Sequence, residues 1–332
     1  MSVYIIAEAG VNHNGKLDLA LKLCDGAKEA GVDAVKFQTW KTENIVTAQA
    51  RQAAYQTENT GVEESQFDML KKLELSYDHF RYIQDYCKKI GIDFLSTPDE
   101  EESLEFLVSL GLPFIKVGSG EVTNIPYLRK IASCGKPVIL STGMSTLAQV
   151  ATAYDTLLQA GAPTVSLLHC TTNYPCPYDE VNLRAMQTLK DAFKCQVGYS
   201  DHTMGTEIPV AAVAMGAEII EKHFTLDRTM EGPDHKASLE PAELKLMVEQ
   251  IRHIEVAMGD GIKRPNKSEA ENAKVVQKSI LAKRPIKMGE TLTEEMLTVK
   301  RAGAGISASL WDNVIGAYAI KDFDIDEPIV LW

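Results

Sequence analysis

Several features are scarce or missing in this chain, and each absence removes a class of function. None of its six cysteines (Cys24, Cys87, Cys134, Cys170, Cys176, Cys195) pairs with another as Cys-x-x-Cys, which argues against a zinc knuckle or a disulfide framework. No apolar run approaches membrane-spanning length, and no leader-like segment separates Met1 from the first strand-like run. A cytoplasmic protein without a membrane partner is the expectation. Basic residues are outnumbered, 34 against 46 acids, for a net charge of -12. That field repels nucleic acid and anionic membranes, so an anionic ligand would need basic side chains gathered locally. What the chain does have is 45% hydrophobic residues, with charge spread along its length, enough for a sizeable core. Its 332 residues suit one large domain and a small one.

Eight times between residues 3 and 225 the sequence runs apolar and then stops in a polar cluster. The runs are VYIIAE, DAVKFQT, IDFLST, PFIKVGSGE, VILST, TVSLLHCT, CQVGYSDH and AEIIEKHFT. Helical periodicity fills the intervals, as in Leu17, Ala20, Leu21, Leu23, Cys24 and Ala27, and Gly31 reads as the stop of that helix. Strand and helix alternating eight times predict an α/β fold, a parallel (β/α)8 TIM barrel whose reaction site lies at the C-terminal strand ends. The predicted domains are a barrel over 1–262, a linker over 263–278, and a small β-rich domain over 279–332 that ends in the strand PIVLW. A long insertion over 41–75, containing Tyr55, Gln56 and residues 64–66, reads equally as a substrate-covering loop or an oligomer contact.

The strand ends carry the chemistry. His202 and His223 follow the last two strands, and two neutral imidazoles over one pocket suit Mn2+, Co2+ or Fe2+ with open positions. Hydrogen bonds within the pocket would use the same histidines. Lys36 and Lys116 interrupt apolar strands, where a bound phosphate or carboxylate, or an internal ion pair to Glu8 or Glu121, would offset their burial. Ser119 and Gly120, and Ser141, Thr142 and Gly143, offer hydroxyls and backbone N–H groups to such an anion. Lys116 could instead form a Schiff base. Glu8, with Asn12 and His13 beside it, is a candidate for a sugar hydroxyl or for acid–base work. Glu221 shares a strand face with His223, and Asp234 is a candidate for substrate hydroxyls, with His235 weaker.

The segments AEAGVNHNG, AVKFQT, FLSTP, IKVGSGE, ILSTGM, LLHCTTNYPCP, VGYSDHT, IEKHFT and GPDHKAS together resemble the sialic acid synthase family over nearly the whole chain. That family condenses phosphoenolpyruvate with an N-acetylated hexose. The tail, with VKRAGAGIS, resembles the family's antifreeze-like (SAF) domain. The resemblance implies that His202 and His223 bind catalytic Mn2+, or another divalent cation such as Co2+ or Mg2+. It implies that Lys36, Thr97, Lys116, Ser119, Ser141, Tyr174 and Ser200 surround phosphoenolpyruvate, and that Glu8 and Asp234 bind the sugar. Glu121 and Glu221 would lie near the reacting centre, one of them handling the water proton. Arg301 would reach the acylamino group from a neighbouring subunit of a domain-swapped homodimer. Asp99 departs from the family's usual phenylalanine, Ala302 and Ala304 from its proline and asparagine, and Cys176 from its threonine. The acceptor, N-acetylmannosamine or a 2,4-diacetamido-6-deoxy hexose, stays open between neuraminate, legionaminate and pseudaminate products. Two rivals remain at this level: a Schiff-base pyruvate aldolase and a non-catalytic sugar-binding protein.

Overall fold

The computed structural model describes residues 2–332, the side chains of Tyr55 and Glu58 excepted, so Tyr55 as a candidate loop residue lies outside the described side chains. The chain divides into two compact units, 1–259 and 260–332. In the first, eight strands form one parallel sheet: β1 (Tyr4–Gly10), β2 (Ala34–Thr39), β3 (Asp93–Pro98), β4 (Ile115–Val117), β5 (Val138–Ser141), β6 (Val165–His169), β7 (Val197–Asp201) and β8 (Ile219–His223). Strand β1 pairs with both β2 and β8, which joins the first strand to the last. Strands β3 and β4 lie alongside each other and bring the two ends of the sheet together. The predicted TIM-type barrel is the observed one.

Successive strand residues point to opposite faces, so residues two apart share a face. Inside the barrel that rule stacks two layers. The lower layer is apolar, built from Ile6, Ala34, Leu95, Ile139, Leu168 and Ile219. Two residues further along five of these strands come Glu8, Lys36, Thr97, Ser141 and Glu221, all buried. The other strand face packs on the helices in a separate cluster that includes Ile5, Val35, Phe37, Leu140 and Ile220. One alternation therefore makes both the core and the polar floor of the site.

Helix punctuation follows the sequence. Gly31, at φ +82°, caps the helix Leu17–Ala30 in the left-handed conformation that a side chain would strain. The insertion between β2 and the helix Tyr77–Ile90 holds three further helices, Thr42–Ile45, Ala54–Thr60 and Gln66–Leu73. Asn59 ties it to the strand-end face of the barrel, donating to the carbonyl of Pro233 at 2.7 Å and to that of Tyr174 at 3.3 Å.

The second unit has its own core of Ile280, Leu292, Leu297, Val314, Phe323 and Ile329 around an antiparallel pair, β9 (Lys278–Ala282) and β10 (Leu297–Arg301). One expectation gains detail here and one is corrected. The stretch 263–278, read as a linker, contains the helix Lys267–Val276. It starts where Glu269 accepts from the backbone N–H of Asn266 at 2.9 Å, an Asn-x-x-Glu capping box outweighed by the surrounding polar residues. The segment PIVLW forms no strand; it contributes one bridge, Leu281 to Pro328, beside the bond from Ile329 N–H to the Ile280 carbonyl.

Candidate active site

A cavity of about 170 Å³ opens above the polar layer of the barrel. Its walls include eleven of the side chains singled out from the sequence: Glu8, Lys36, Thr97, Lys116, Ser119, Ser141, Tyr174, Ser200, His202, Glu221 and His223. They come from every strand end of the barrel.

One side of the cavity is cationic. The ammonium of Lys36 contacts Glu8, bonds Thr97 Oγ1 at 3.1 Å, and lies 3.6 Å from Glu221. Lys116 donates to Ser141 Oγ at 2.8 Å and to the Val117 carbonyl at 3.2 Å, again 3.6 Å from Glu221. Burial alone would depress Lys36, but the Glu221 and Glu8 carboxylates hold it above its ordinary range. Burial prevails at Lys116 and lowers it. Beside the lysines, the Gly143 N–H donates to Ser119 Oγ at 3.0 Å. A Cβ at Gly143 would come within 2.3 Å of Thr172 Oγ1 and 2.9 Å of Ser119 Oγ, so only glycine lets this backbone approach so closely. Two ammonium groups, two serine hydroxyls and one close-lying amide have the chemistry of an anion cradle.

Glu221 and Glu8 experience opposite fields. Burial disfavours the charge of both. At Glu221 it is overcome by Lys116, Lys36 and a hydrogen bond from Ser200 at 2.9 Å, which bring the carboxyl down to about 2. At Glu8, burial with Glu221 nearby prevails over Lys36 and over the 3.1 Å bond from Gln38, pushing it up to about 7. Paired carboxyls driven apart in this way divide into a fixed anion and a group able to carry a proton.

The imidazoles stand on the other side, His202 and His223 with ring centroids 5.4 Å apart and Tyr174 against both at 4.1 and 5.3 Å. His202 Nδ1 lies 2.6 Å from the Thr171 carbonyl, which can only accept, so Nδ1 carries the proton and Nε2 keeps its lone pair. Nδ1 of His223 is buried without a hydrogen bond, 3.8 Å from Asp234. Burial lowers both rings, His202 adding to the effect at His223, so both are neutral at physiological pH. Two neutral nitrogens with an orphaned buried ring atom fit a divalent cation. Among the described residues no cluster of three protein ligands is present, so further donors would be water or substrate oxygens.

Three candidates lie elsewhere. Glu121 is half-buried outside the cavity wall and accepts from Asn124 at 2.7 Å. Asp234 is buried behind His223, its carboxyl raised to about 6 by burial. Arg301 ends β10 in the second unit and is exposed. Asn12 and His235 hold loops together, Asn12 donating to the Phe224 carbonyl and Ser238, and His235 bonding Thr225 and Asn14. Gln38, Cys170, Thr172 and Met144 line the cavity without having been singled out, and so does Asp99, marked from the sequence as a departure. The signal for two of them is the strand period, since Gln38 follows Lys36 by two residues and Asp99 follows Thr97 by two.

Comparison with known proteins places this geometry. The model of the NeuB family matches residues 23–263 and that of the SAF domain residues 277–331. The chain is 53% identical to the N,N'-diacetyllegionaminic acid synthase of Campylobacter jejuni, over 98% of both chains. It is 39% identical to the human N-acetylneuraminate-9-phosphate synthase, over 90% of this chain and 82% of that one. Among solved structures, the N-acetylneuraminic acid (sialic acid) synthetase of Leptospira borgpetersenii, in complex with citrate, superposes with a TM-score of 0.72 at 37% identity, covering 82% of this chain and 91% of that one. The chain therefore belongs to the NeuB family of sialic-acid-type synthases and carries a SAF domain after its barrel.

Proposed function

We propose that this protein condenses phosphoenolpyruvate with an N-acetylated hexose and water, giving a nine-carbon 2-keto acid and phosphate. The observation that carries the reading is the cavity itself, with an anion cradle on one side, two neutral imidazoles on the other, and Glu221 between them. The name of the 53% identical relative favours a 2,4-diacetamido-6-deoxy hexose as acceptor over N-acetylmannosamine.

In this mechanism Lys36, Lys116, Ser119, Ser141 and the Gly143 N–H hold the phosphate and carboxylate, leaving the enol carbon facing the acceptor aldehyde. His202 and His223 would hold a divalent cation, Mn2+, Co2+ or Mg2+, whose contribution when bound is Lewis-acid polarisation of that aldehyde. As the enol carbon forms its bond, positive charge develops at C2, and ionised Glu221 stabilises it. Water adds to C2 and gives its proton to Glu221, whose hold by the lysines slackens once they share the substrate's charges. Glu8, near neutrality in its titration, supplies a proton to the new alkoxide. Collapse of the tetrahedral carbon turns the C2 hydroxyl into the keto group, breaks the C–O bond and releases phosphate, which carries off the hydroxyl's proton, while the proton held by Glu221 returns to Glu8. Asp234, beside His223, is proposed to meet sugar hydroxyls. Glu121 is left without a direct part. Arg301 is proposed to meet the acylamino group from a partner subunit in a swapped homodimer.

The test is phosphate release by the purified protein with Mn2+, phosphoenolpyruvate and each sugar in turn. Release that requires both substrates, stops with a chelator and returns with Mn2+ is expected, with kcat/KM higher for the diacetamido sugar. Glu221→Gln should lower kcat by roughly 10²- to 10⁴-fold. The depressed Lys116 ammonium favours one rival, a Schiff-base aldolase. Consumption of pyruvate with a borohydride-trapped adduct on Lys116, and no phosphate release, would establish that rival instead.

A further inference from the structure

The β3 wall of the cavity carries a carboxylate that the mechanism above does not use. Asp99 follows Thr97 by two residues and lines the same cavity. Its backbone N–H donates to the Thr39 carbonyl at 3.1 Å, which fixes the residue to the end of β2. Its side chain feels the charges of Lys36, Glu121, Glu8 and Lys116, yet among the described residues no group hydrogen-bonds the carboxylate. Both nearby cations already have partners: Lys36 has Glu8 and Thr97, and Lys116 has Ser141. A half-buried carboxylate left without a donor beside a substrate cavity is matched by a ligand that brings donors of its own.

The charge of Asp99 decides which substrate that is. A carboxylate at this wall repels the phosphate and carboxylate of the enol substrate. It attracts a hydroxyl or an amide N–H, which only the sugar offers. We propose that Asp99 is a specificity-determining residue that hydrogen-bonds a hydroxyl or acylamino N–H of the acceptor sugar, holding it against β3. Burial, opposed by Lys36, pushes the carboxyl up to about 7, so the ionised form that the sugar's donors match gains population as pH rises through neutrality. The inference rests on the reading of the reaction given under Proposed function.

Steady-state kinetics of Asp99→Leu and Asp99→Asn, with the 2,4-diacetamido-6-deoxy hexose and with N-acetylmannosamine, test it. For at least one sugar, the leucine variant should raise the acceptor KM by about tenfold to a hundredfold, the range of one hydrogen bond to a charged group. The KM for phosphoenolpyruvate should change by no more than about twofold. The asparagine variant, which keeps shape and hydrogen bonding, should show a smaller rise, and it decides the matter if the leucine variant fails to fold. Acceptor KM values unchanged for both sugars, or an equal rise in the KM for phosphoenolpyruvate, would overturn the assignment. If the wild-type protein releases no phosphate with either sugar, the reaction reading fails. Calorimetric binding of the two sugars then tests Asp99 separately, with equal affinity in wild type and variants, or no measurable binding to the wild type, refuting it.

Discussion

Lys36 and Lys116 are 2% and 3% exposed, and an isolated ammonium at that depth would lose its proton rather than stay charged. Glu8 and Glu221 keep Lys36 cationic, and Lys116 and Lys36 in turn keep Glu221 anionic. The lysines were legible from sequence because a charge inside an apolar strand demands a partner. Gln38 escaped notice, and Asp99 was marked as a departure rather than as a site residue, because a polar residue at a strand end looks like the start of a loop. Their spacing of two residues from Lys36 and Thr97 carried the inward face, and the cavity lining shows it. The NHNG turn shows the opposite outcome. His13, noted beside Glu8 in the sequence, is fully buried outside the cavity, its Nδ1 accepting from the Gly15 N–H at 3.0 Å and its Nε2 unpartnered. Burial brings its imidazole down to about 4, with His235 and His79 adding to the effect. The unfolded chain then binds a proton as pH falls below about 6.5 and the folded protein does not until about 4, so stability falls across that window. The ceiling for one such group is about 3 kcal/mol. Denaturant melts between pH 7 and 4 should show His13→Asn with a shallower loss than wild type; parallel curves would contradict it.

Among the elements, β7 and β8 deliver the two imidazoles, and the clamp between them is ionic. Lys222 and Asp201 are both fully buried and paired with each other, and Lys222 also donates to the Thr203 carbonyl. Asp201 in turn accepts from the Thr203 backbone and hydroxyl at 3.1 and 3.0 Å. Each partner is the chain neighbour of a histidine of the site, so the pair fixes the turn after β7 against β8 where His202 and His223 emerge. Removing one member leaves a buried charge uncompensated, at a cost of about 3–5 kcal/mol. Lys222→Met should lose stability of that order in chemical denaturation, and the double variant Lys222→Met with Asp201→Asn should recover part of it. A single variant as stable as wild type would show that the pair does not clamp these strands. The ordering of the strands was plain in the sequence, since each apolar run ends in a polar cluster. The ion pair was not, because Asp201 and Lys222 are twenty-one residues apart and only strand pairing brings them together.

At the scale of the whole molecule, an acidic chain places two of the three lysines buried among its described residues, Lys36 and Lys116, at the floor of the site, the third being Lys222 in its pair with Asp201. Against a net charge of -12, that local pair of ammonium groups is the feature a small anionic substrate would fit. The alternation of eight strands and helices was readable because one period governs each element. The helix Lys267–Val276 was hidden because it buries no residue, so no apolar stripe marked it, and Arg301 stands in the second unit, where no strand pattern ties it to the cavity. The account stands on one chemical claim, that the enol carbon of phosphoenolpyruvate joins the sugar and the C–O bond of the enol phosphate then breaks. Phosphoenolpyruvate carrying heavy oxygen at the bridging position, incubated with the protein, Mn2+ and the acceptor, tests this by mass spectrometry of both products. The account predicts the label wholly in the released phosphate and a solvent oxygen in the new keto acid. Label retained in the keto acid, with phosphate formed by P–O cleavage, would contradict it.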